Sequence, residues 1–467
     1  MRHFPLILSF VSVSVSAAPI STPTAPQPDL TRSQIQQTET KNQQPSLPSS
    51  PVSMTSEELI QQPEMLRGAL DIALAQEHLA NIRFLLSLYH QLPEHQQDKV
   101  LLQYAEAVLM RADGKYAEAE KRLRALLTQH PEYAPIRLQL ALTLSQDGQS
   151  REAASEIKHI RQTPDLPSDV VNYLDQFDQY LNQEKKWQFN ANAYYIQDNN
   201  VSREPEQRTY GPWEFPEPRS AHGIGYELSA QKQTPIKGHW AARVQASTYG
   251  KFYWDAHDYD DLTLRTDAAA VWRNAKQEMS VGPFYDKRWY GTEPYSETVG
   301  GTLRYSRTLS PKWQLYNAWQ SGYRKHDDRT YLDGASHSTS LSLLHNTSPH
   351  HSFIYGIDGG IENARDKSEA YKRYGLRAAW MHNWGKSRAF STTLNTSIQR
   401  RQYDERDIFS IQRKDTEYST RLSMAHQKLS WKGFTPRLNW TWSHIHSNHF
   451  YYRYDQHRVF LDVSKHF

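Results

Sequence analysis

The sequence predicts a protein of two parts, an N-terminal α-solenoid of the tetratricopeptide type followed by an antiparallel outer-membrane β-barrel of about fourteen strands. Two observations predict this division. All thirteen tryptophans lie between Trp187 and Trp442, in a region where apolar and polar residues alternate, and aromatic girdles on alternating segments are typical of transmembrane barrels. Before Trp187, small residues recur every 34 residues, which is the period of the tetratricopeptide repeat.

The composition excludes several other classes of protein. The chain has 467 residues, no cysteine, a net charge of +3 and a mean hydropathy of -0.80. After the N-terminal leader there is no apolar run long enough for a spanning helix, and the small net charge indicates no nucleic-acid partner. A barrel agrees with the low hydropathy because half of each strand faces a polar lumen.

The N-terminus has the features of a secretory signal. Residues 1–17 combine a short basic start, an apolar stretch and the small residues Val15-Ser16-Ala17, so we predict a signal peptide cleaved after this segment. Residues 18–53 contain seven prolines and no aromatic residue. Such a segment cannot bury enough apolar surface to order itself, and we interpret it as a disordered linker that serves as a spacer.

Residues 54–184 have apolar residues at helical spacing and two copies of a repeat. Gly114 and Ala119 in the first copy correspond to Gly148 and Ala153 in the second, at an offset of 34 residues. We predict that the glycines form the turn of each helical hairpin and that the alanines let its two helices approach closely. We expect this part to lie in the periplasm.

Two flanking segments complete the predicted solenoid. Residues 66–93 have the length of an earlier, degenerate hairpin, and residues 168–184 are expected to form a capping helix. Solenoids of this type present a groove to extended peptides or protein partners. The alternative is that this solenoid only packs against the barrel or caps its mouth.

From residue 187 to residue 467 the pattern changes to a period of two. In one segment Leu262 and Leu264 fall on one face, while Arg265 and Asp267 fall on the other. Charged residues on the inner face of many strands indicate a water-filled lumen, because a dry core does not accept them. The longer connections are expected at 198–219, 251–260, 288–296, 325–333 and 404–412.

The end of the chain has the pattern of a barrel-assembly signal. Val459, Leu461 and Val463 alternate before a terminal Phe467, which resembles the signal that the bacterial barrel-assembly machinery reads. Lys465 departs from the pattern, although its long apolar stem can extend to the membrane interface.

The sequence contains no arrangement that points to catalysis. There is no phosphate-binding loop and no HExxH motif, and we predict no catalytic, cofactor or metal site. Two groups are candidate metal ligands: the histidines His444, His446 and His449, for which acidic partners are lacking nearby, and the acidic group Asp255, Asp258, Asp260 and Asp261. We interpret the first group as rim or lumen histidines and the second as a solvated loop tip.

The order of these parts resembles the surface lipoprotein assembly modulators of Gram-negative bacteria. Three local segments contribute: Asp198-Asn199-Asn200-Val201 after the first strand, Tyr451-Tyr452-Arg453-Tyr454 in the last hairpin, and Arg458-Val459 in the last strand. The resemblance implies an outer-membrane translocon that delivers lipoproteins from the periplasm to the cell surface. It implies a lipoprotein cargo, outer-membrane lipids and the barrel-assembly machinery as partners. The alternatives are a polysaccharide export porin with helical repeats and a lipid-modifying outer-membrane enzyme.

Overall fold

The computed structural model describes residues 55–164, 166–205 and 207–466. The predicted signal peptide, the predicted linker and the terminal Phe467 lie outside the described residues. Within them the predicted fold class is confirmed, because eight helices precede a closed antiparallel barrel of fourteen strands.

The helices form successive antiparallel hairpins. They are α1 (Ser56–Ile60), α2 (Pro63–Ala75), α3 (Leu79–Tyr89), α4 (Lys99–Ala112), α5 (Tyr116–Gln129), α6 (Ala134–Gln146), α7 (Ser150–Ile160) and α8 (Ser168–Gln183). Helices α2 and α3 occupy the region where the sequence predicts the degenerate hairpin, and α8 follows the second repeat. Among the described residues, no helix has the length and apolarity needed to cross a membrane.

Local sequence explains where these helices begin and what they bury. Helix α4 begins at Asp98, whose carboxylate accepts hydrogen bonds from the backbone N–H groups of Val100 and Leu101 at 2.9 and 3.1 Å. Leucine, isoleucine and alanine side chains at helical spacing fill the space between hairpins, and Leu123 and Leu140 are almost completely buried. The apolar core of the solenoid thus consists of three buried clusters along its hairpins.

The strands follow directly after α8. They are β1 (Gln188–Asp198), β2 (Thr209–Tyr210), β3 (Trp213–Glu214), β4 (Ala221–Lys237), β5 (Trp240–Tyr253), β6 (Asp261–Arg273), β7 (Gln277–Tyr290), β8 (Glu293–Ser310), β9 (Trp313–His326), β10 (Gly334–Ser348), β11 (His351–Ala364), β12 (Tyr371–Trp384), β13 (Phe390–Arg406), β14 (Gln412–His426), β15 (Phe434–Ser447) and β16 (Tyr454–His466). The short β2 and β3 form a separate hairpin in the first long loop, and the other fourteen strands form the barrel.

Adjacent strands of the barrel follow one another along the chain, with β4 next after β1, except where β1 meets β16 to close the ring. This closing contact, the seam, is short. Among the described residues β1 and β16 pair at five positions, from Asn190 with His466 to Tyr194 with Asp462. Every other pair of adjacent barrel strands is joined at eleven positions or more. The seam is therefore the least extensively hydrogen-bonded interface of the wall.

The two faces of the wall differ as the alternation predicts. Outward residues are apolar and exposed, as with Val299 (60% exposed) and Leu376 (58% exposed). Inward residues are polar and mostly buried by one another, including Asp267 and Arg401. The barrel thus presents an apolar surface to lipid and a polar surface to its lumen.

The rims of the barrel also differ. Most of the short turns lie at the rim beside the solenoid, the solenoid-side rim, and most of the longer loops lie at the opposite, far rim. The long loop expected at 288–296 is wrong: β7 and β8 continue through it and only Gly291 and Thr292 remain between them. Glycine at φ +60° and the paired ends of both strands allow this tight turn.

Candidate functional site

The repeat residues named from the sequence occupy the turns and close contacts of two hairpins. Gly114 and Gly148 have φ values of +74° and +81°, a backbone conformation that glycine adopts without strain. Ala119 and Ala153 are completely buried, where a larger side chain would push the paired helices apart. Gly148 has an additional constraint, because a Cβ there would lie 3.1 Å from the side chain and the carbonyl oxygen of Arg273 in the barrel.

A polar network lies between the first helices of consecutive hairpins. The Glu77 carboxylate accepts hydrogen bonds from Arg111 at 3.1 Å and from Gln139 at 2.8 Å. Burial raises the pKa of the Tyr104 and Tyr173 hydroxyls, and the nearby Glu77 carboxylate raises both pKa values further. These residues come from α4, α6, α8 and the turn after α2, and Tyr173 and Glu77 are the members with substantial exposure. We call this region the solenoid groove.

The turn between α6 and α7 is attached to the solenoid-side rim of the barrel. Asp147 accepts a hydrogen bond from the backbone N–H of Ala275 at 3.2 Å and contacts the His239 ring at 3.0 Å. Glu152 accepts from the backbone N–H of Gly238 at 2.6 Å. Two barrel turns, between β4 and β5 and between β6 and β7, are therefore held by one repeat turn of the solenoid.

Two arginines complete this dock. Arg151 donates to the carbonyl oxygen of Ile236 at 2.5 Å. From the opposite side, Arg273 of β6 donates to Ser150 at 3.1 Å and to Glu184 at 2.5 Å. Because charged donors and acceptors meet here on partly buried positions, these hydrogen bonds are stronger than neutral ones. The dock fixes the solenoid beside the barrel mouth.

The dock leaves no distinguishing signal in the sequence. Asp147 and Glu152 stand at the same repeat positions as Asp113 and Glu118, 34 residues earlier, so nothing local distinguishes the copy that contacts the barrel. Burial raises the pKa of Asp147, and the Ala275 N–H and the His239 ring partly offset that effect. Asp113 instead forms an exposed ion pair with Arg83.

The lumen of the barrel is lined by ion pairs that join adjacent strands. Arg377 donates to Asp358 at 2.5 and 3.0 Å across β11 and β12. Further pairs of the same kind are Arg265 with Asp286, Arg288 with Asp261, Arg401 with Glu417, and Arg437 with Asp462. Opposite charges thus neutralise each other along the wall, which provides a hydrogen-bonding surface without a strong net charge.

The far rim carries a cluster of aromatic side chains from three loops. Tyr210, in the loop between β1 and β4, stacks on Phe450 at 4.0 Å between ring centroids. Phe215 of the same loop contacts Phe450 and Tyr451 at 5.7 and 5.6 Å, and Phe409 lies 5.4 Å from Phe450. The first loop therefore crosses above the seam to the loop between β15 and β16.

Side-chain contacts also cross the seam, and one of them joins two of the segments that carry the family resemblance. Arg458 donates to Asp198 at 3.0 Å, and Phe460 packs against Tyr194 at 5.4 Å between centroids. Of the predicted assembly-signal residues, Val459, Leu461 and Val463 face outward on β16 with exposures of 68%, 60% and 40%.

Lys465, the residue that departs from this pattern, lies with its ammonium group 4.6 Å from the Phe434 ring centroid. The long side chain thus reaches over the ring, and we retain the extension of its stem to the membrane interface as a prediction.

The groups considered as metal ligands do not assemble. Asp455 of the neighbouring strand lies 2.8 Å from His444, so the view that acidic partners are lacking is wrong. His449 instead contacts Asp407 at 2.7 Å on the inside of the far rim. Among the described residues no group of three or more potential ligands gathers into a metal site.

Three of the four aspartates have separate partners. Asp260 accepts from the backbone N–H of Tyr253, and Asp255 accepts from that of His222. Asp261 is buried on β6 and paired with Arg288 at 2.7 Å, so it does not belong to a solvated loop tip as the sequence analysis interpreted it.

Comparison with known proteins agrees with both parts of the chain. The family model described as "Surface lipoprotein assembly modifier" matches residues 187–467. A second model, described as the N-terminal TPR repeats of that family, matches residues 52–157.

Similar proteins cover most of the chain. Surface lipoprotein assembly modifier 1 of Haemophilus influenzae is 30% identical over 90% of this chain and 88% of its own length. Surface lipoprotein assembly modifier 2 of the same species is 29% identical over 98% of each. The hemophilin secretion modulator of Acinetobacter baumannii is 24% identical over 87% of each. The helical repeats, the fourteen-stranded barrel and these matches together show that the chain belongs to the surface lipoprotein assembly modifier family of outer-membrane barrels.

Proposed function

We propose that this protein is an outer-membrane translocon that delivers lipoproteins from the periplasm to the cell surface. In this proposal the solenoid engages the cargo and the barrel mediates its passage. The solenoid-side rim faces the periplasm, and the far rim faces the cell exterior. The family is named for the assembly of surface lipoproteins and is not an enzyme family, which supports transport as the class of activity.

The main support for this proposal is the attachment of the solenoid to the barrel by the hydrogen bonds of the dock. A solenoid on a free tether would bind cargo at any distance from the membrane, whereas Asp147, Glu152 and Arg273 hold this one against the periplasmic turns. A peptide bound in the solenoid groove is thereby kept close to the barrel entrance. This raises its effective concentration at the lumen without any additional contact.

The solenoid groove has a chemistry suited to an extended polypeptide. Tyr173 is 40% exposed and offers aromatic surface with a hydroxyl group. Glu77 offers a partly exposed carboxylate, which the buried Arg111 and Gln139 hold in place. Amphipathic aromatic side chains next to donors and acceptors bind backbone amides and mixed side chains alike. We infer a protein cargo rather than a polysaccharide.

The lumen is suited to a polar chain and unsuited to lipid. Its ion pairs, such as Arg377 with Asp358, can exchange hydrogen bonds with a passing peptide. An acyl chain of about sixteen carbons, moved from bilayer into such a polar space, would cost on the order of 12 kcal/mol at about 0.8 kcal/mol per methylene. The peptide and the lipid of a lipoprotein therefore require different environments during passage.

We also propose two partners for the barrel itself. The outward residues Val459, Leu461 and Val463, with Phe467, form the segment that the barrel-assembly machinery reads during insertion. The apolar outer face contacts outer-membrane lipids. Both are consistent with the exposure of these residues on the last strand.

The proposal is tested without knowing the cargo. Cells grown with an alkyne analogue of palmitate label all their lipoproteins, and protease added outside the cells removes those on the surface. Deleting the gene should abolish the removal of at least one labelled lipoprotein, and the wild-type gene on a plasmid should restore it. A periplasmic store of polysaccharide in the deletion strain, with unchanged lipoprotein display, would instead support an export porin.

A further inference from the structure

The seam between β1 and β16 differs from the rest of the barrel wall. Its ladder stops at Tyr194 and Asp462. Beyond this point Tyr195–Asp198 lies opposite 458–461, and the described residues show no backbone ladder between these segments although both continue as strands. The periplasmic half of the seam is thus closed by backbone hydrogen bonds, and the extracellular half is not.

The edges of this extracellular half are apolar on the side that faces lipid. Tyr195 on β1 is 47% exposed, and Val459 and Leu461 on β16 are 68% and 60% exposed. Closed barrels join each strand to both of its neighbours by backbone hydrogen bonds. The seam, with five pairs, differs in this respect from every other strand interface of the barrel, which has eleven pairs or more.

Side chains hold this half together instead. On the lumen side Arg458 donates to Asp198 at 3.0 Å, and Phe460 packs on Tyr194. Above the seam, Tyr210 stacks on Phe450 and joins the two loops that flank it. Contacts of this kind can separate and re-form without unravelling a ladder of strand pairs.

We propose that the barrel opens laterally between β1 and β16 and that the acyl chains of a lipidated cargo cross the membrane through this opening. The proposal rests on the proposed function and specifies the route of the lipid. The polar peptide stays on the lumen side, against the ion pairs of the wall, while the acyl chains stay in the bilayer. Opening begins in the extracellular half and extends through the five remaining pairs.

The absence of cysteine from the chain makes a disulfide test specific. The variant Asn192→Cys with Ser464→Cys places two thiols on directly paired residues of the seam. The control variant Ser397→Cys with Ser419→Cys ties β13 to β14, where the two hydroxyl groups lie 2.6 Å apart. Both are tested as full-length protein in cells labelled with the alkyne analogue of palmitate.

With the seam oxidised, removal of labelled lipoprotein by external protease is expected to fall at least tenfold, to the level of the deletion strain. A reductant should restore it, which shows that the barrel is folded, and the control tether should leave it unchanged. Normal display with a fully oxidised seam would overturn the lateral route while leaving the proposed function intact. Equal display in the deletion strain and the wild type would overturn the proposed function and the route with it.

A second measurement locates the lipid directly. A photoreactive phenylalanine analogue at Tyr195 should cross-link to alkyne-labelled lipoprotein, and the same analogue at Tyr355, on the lipid face of β11, should not. A ratio of adduct yields of at least fivefold is expected. Equal yields at the two positions would contradict a route along the seam.

Discussion

The carboxylate of Asp198 and the guanidinium group of Arg458 lie 3.0 Å apart, although 260 residues separate them in sequence. One ends the first strand of the barrel and the other belongs to the last strand. Their contact is the polar link of the extracellular half of the seam, where the backbone ladder has ended. An ion pair therefore joins the two strands of the seam at a position where the strands of other interfaces are joined by backbone hydrogen bonds.

Replacing Arg458 should weaken this link specifically. We expect Arg458→Gln to destabilise the barrel by about 2 kcal/mol, because the buried Asp198 carboxylate loses the charged group that donates to it. The measurement is the temperature at which the folded barrel loses its faster mobility in detergent gels, together with amide exchange along Tyr195–Asp198. Exchange in that segment should increase at least tenfold.

Arg377→Gln is the matched control for Arg458→Gln. Arg377 also pairs with a carboxylate across two strands, but its strands are joined at twelve positions. Its loss should not raise amide exchange at the seam. If both variants raised exchange along Tyr195–Asp198 equally, the ion pair would have no special role there.

Substitutions in the dock should detach the solenoid from the barrel without unfolding the solenoid. In Asp147→Ala with Glu152→Ala, the barrel turns lose two carboxylate acceptors, and hydrogen bonds to charged groups contribute roughly 1.5–3 kcal/mol each. We expect protease to cleave between α8 and β1 at least fivefold faster, and lipoprotein display to fall, while the barrel keeps its thermal stability. The matched variant is Asp113→Ala with Glu118→Ala, at the same repeat positions in the preceding copy, where Asp113 pairs with Arg83. Display that falls equally in both would argue for a general effect on the solenoid.

The two repeat glycines should respond differently to the same substitution. Gly114→Ala forces a side chain into a positive φ and should cost about 1 kcal/mol of solenoid stability. Gly148→Ala carries the same backbone cost and adds a Cβ that would lie 3.1 Å from Arg273. Thermal unfolding should show a similar loss for the two variants, and only Gly148→Ala should also speed cleavage between α8 and β1. Cleavage at wild-type rate in Gly148→Ala would show that Arg273 moves aside.

The far rim should loosen as pH rises. Burial raises the pKa of Glu369, in the loop after β11, to about 7, and the nearby Arg413 offsets only part of this. The folded-state pKa lies above the unfolded value of 4.5. The associated stabilisation is thus present below about pH 4.5 and is lost as pH rises through 7. Its limit is about 3 kcal/mol, since each pKa unit corresponds to roughly 1.4 kcal/mol.

Trypsin cleavage at the exposed Arg365 measures this effect. We expect cleavage in the wild type to be several-fold faster at pH 8 than at pH 6, after correction for the protease's own pH dependence. Glu369→Gln should remove the difference, because the amide does not ionise. Glu405→Gln, at an exposed position at the end of β13, serves as the control and should retain it. A pH dependence that survives in Glu369→Gln would assign it to another group.

Local patterns were sufficient to predict the fold class and the turns of the repeat. A hairpin turn that needs a positive φ selects glycine, so Gly114 and Gly148 mark it at a fixed spacing. A barrel wall between water and lipid requires polar and apolar residues to alternate along each strand, so Arg265 and Leu264 lie on opposite faces. The loop expected at 288–296 was wrong because its polar residues are equally compatible with paired strand ends.

The sequence by itself therefore determined the helical repeat, the alternating wall and the family resemblance, because each depends on residues close together in the chain. The tertiary structure decided which repeat turn meets the barrel: Asp147 reaches Ala275, and Asp113, at the equivalent position, does not. It also decided that Asp198 meets Arg458 and that the seam closes with five pairs. Such contacts depend on how the ring closes and where the solenoid rests on it, and spacing along the chain does not specify either.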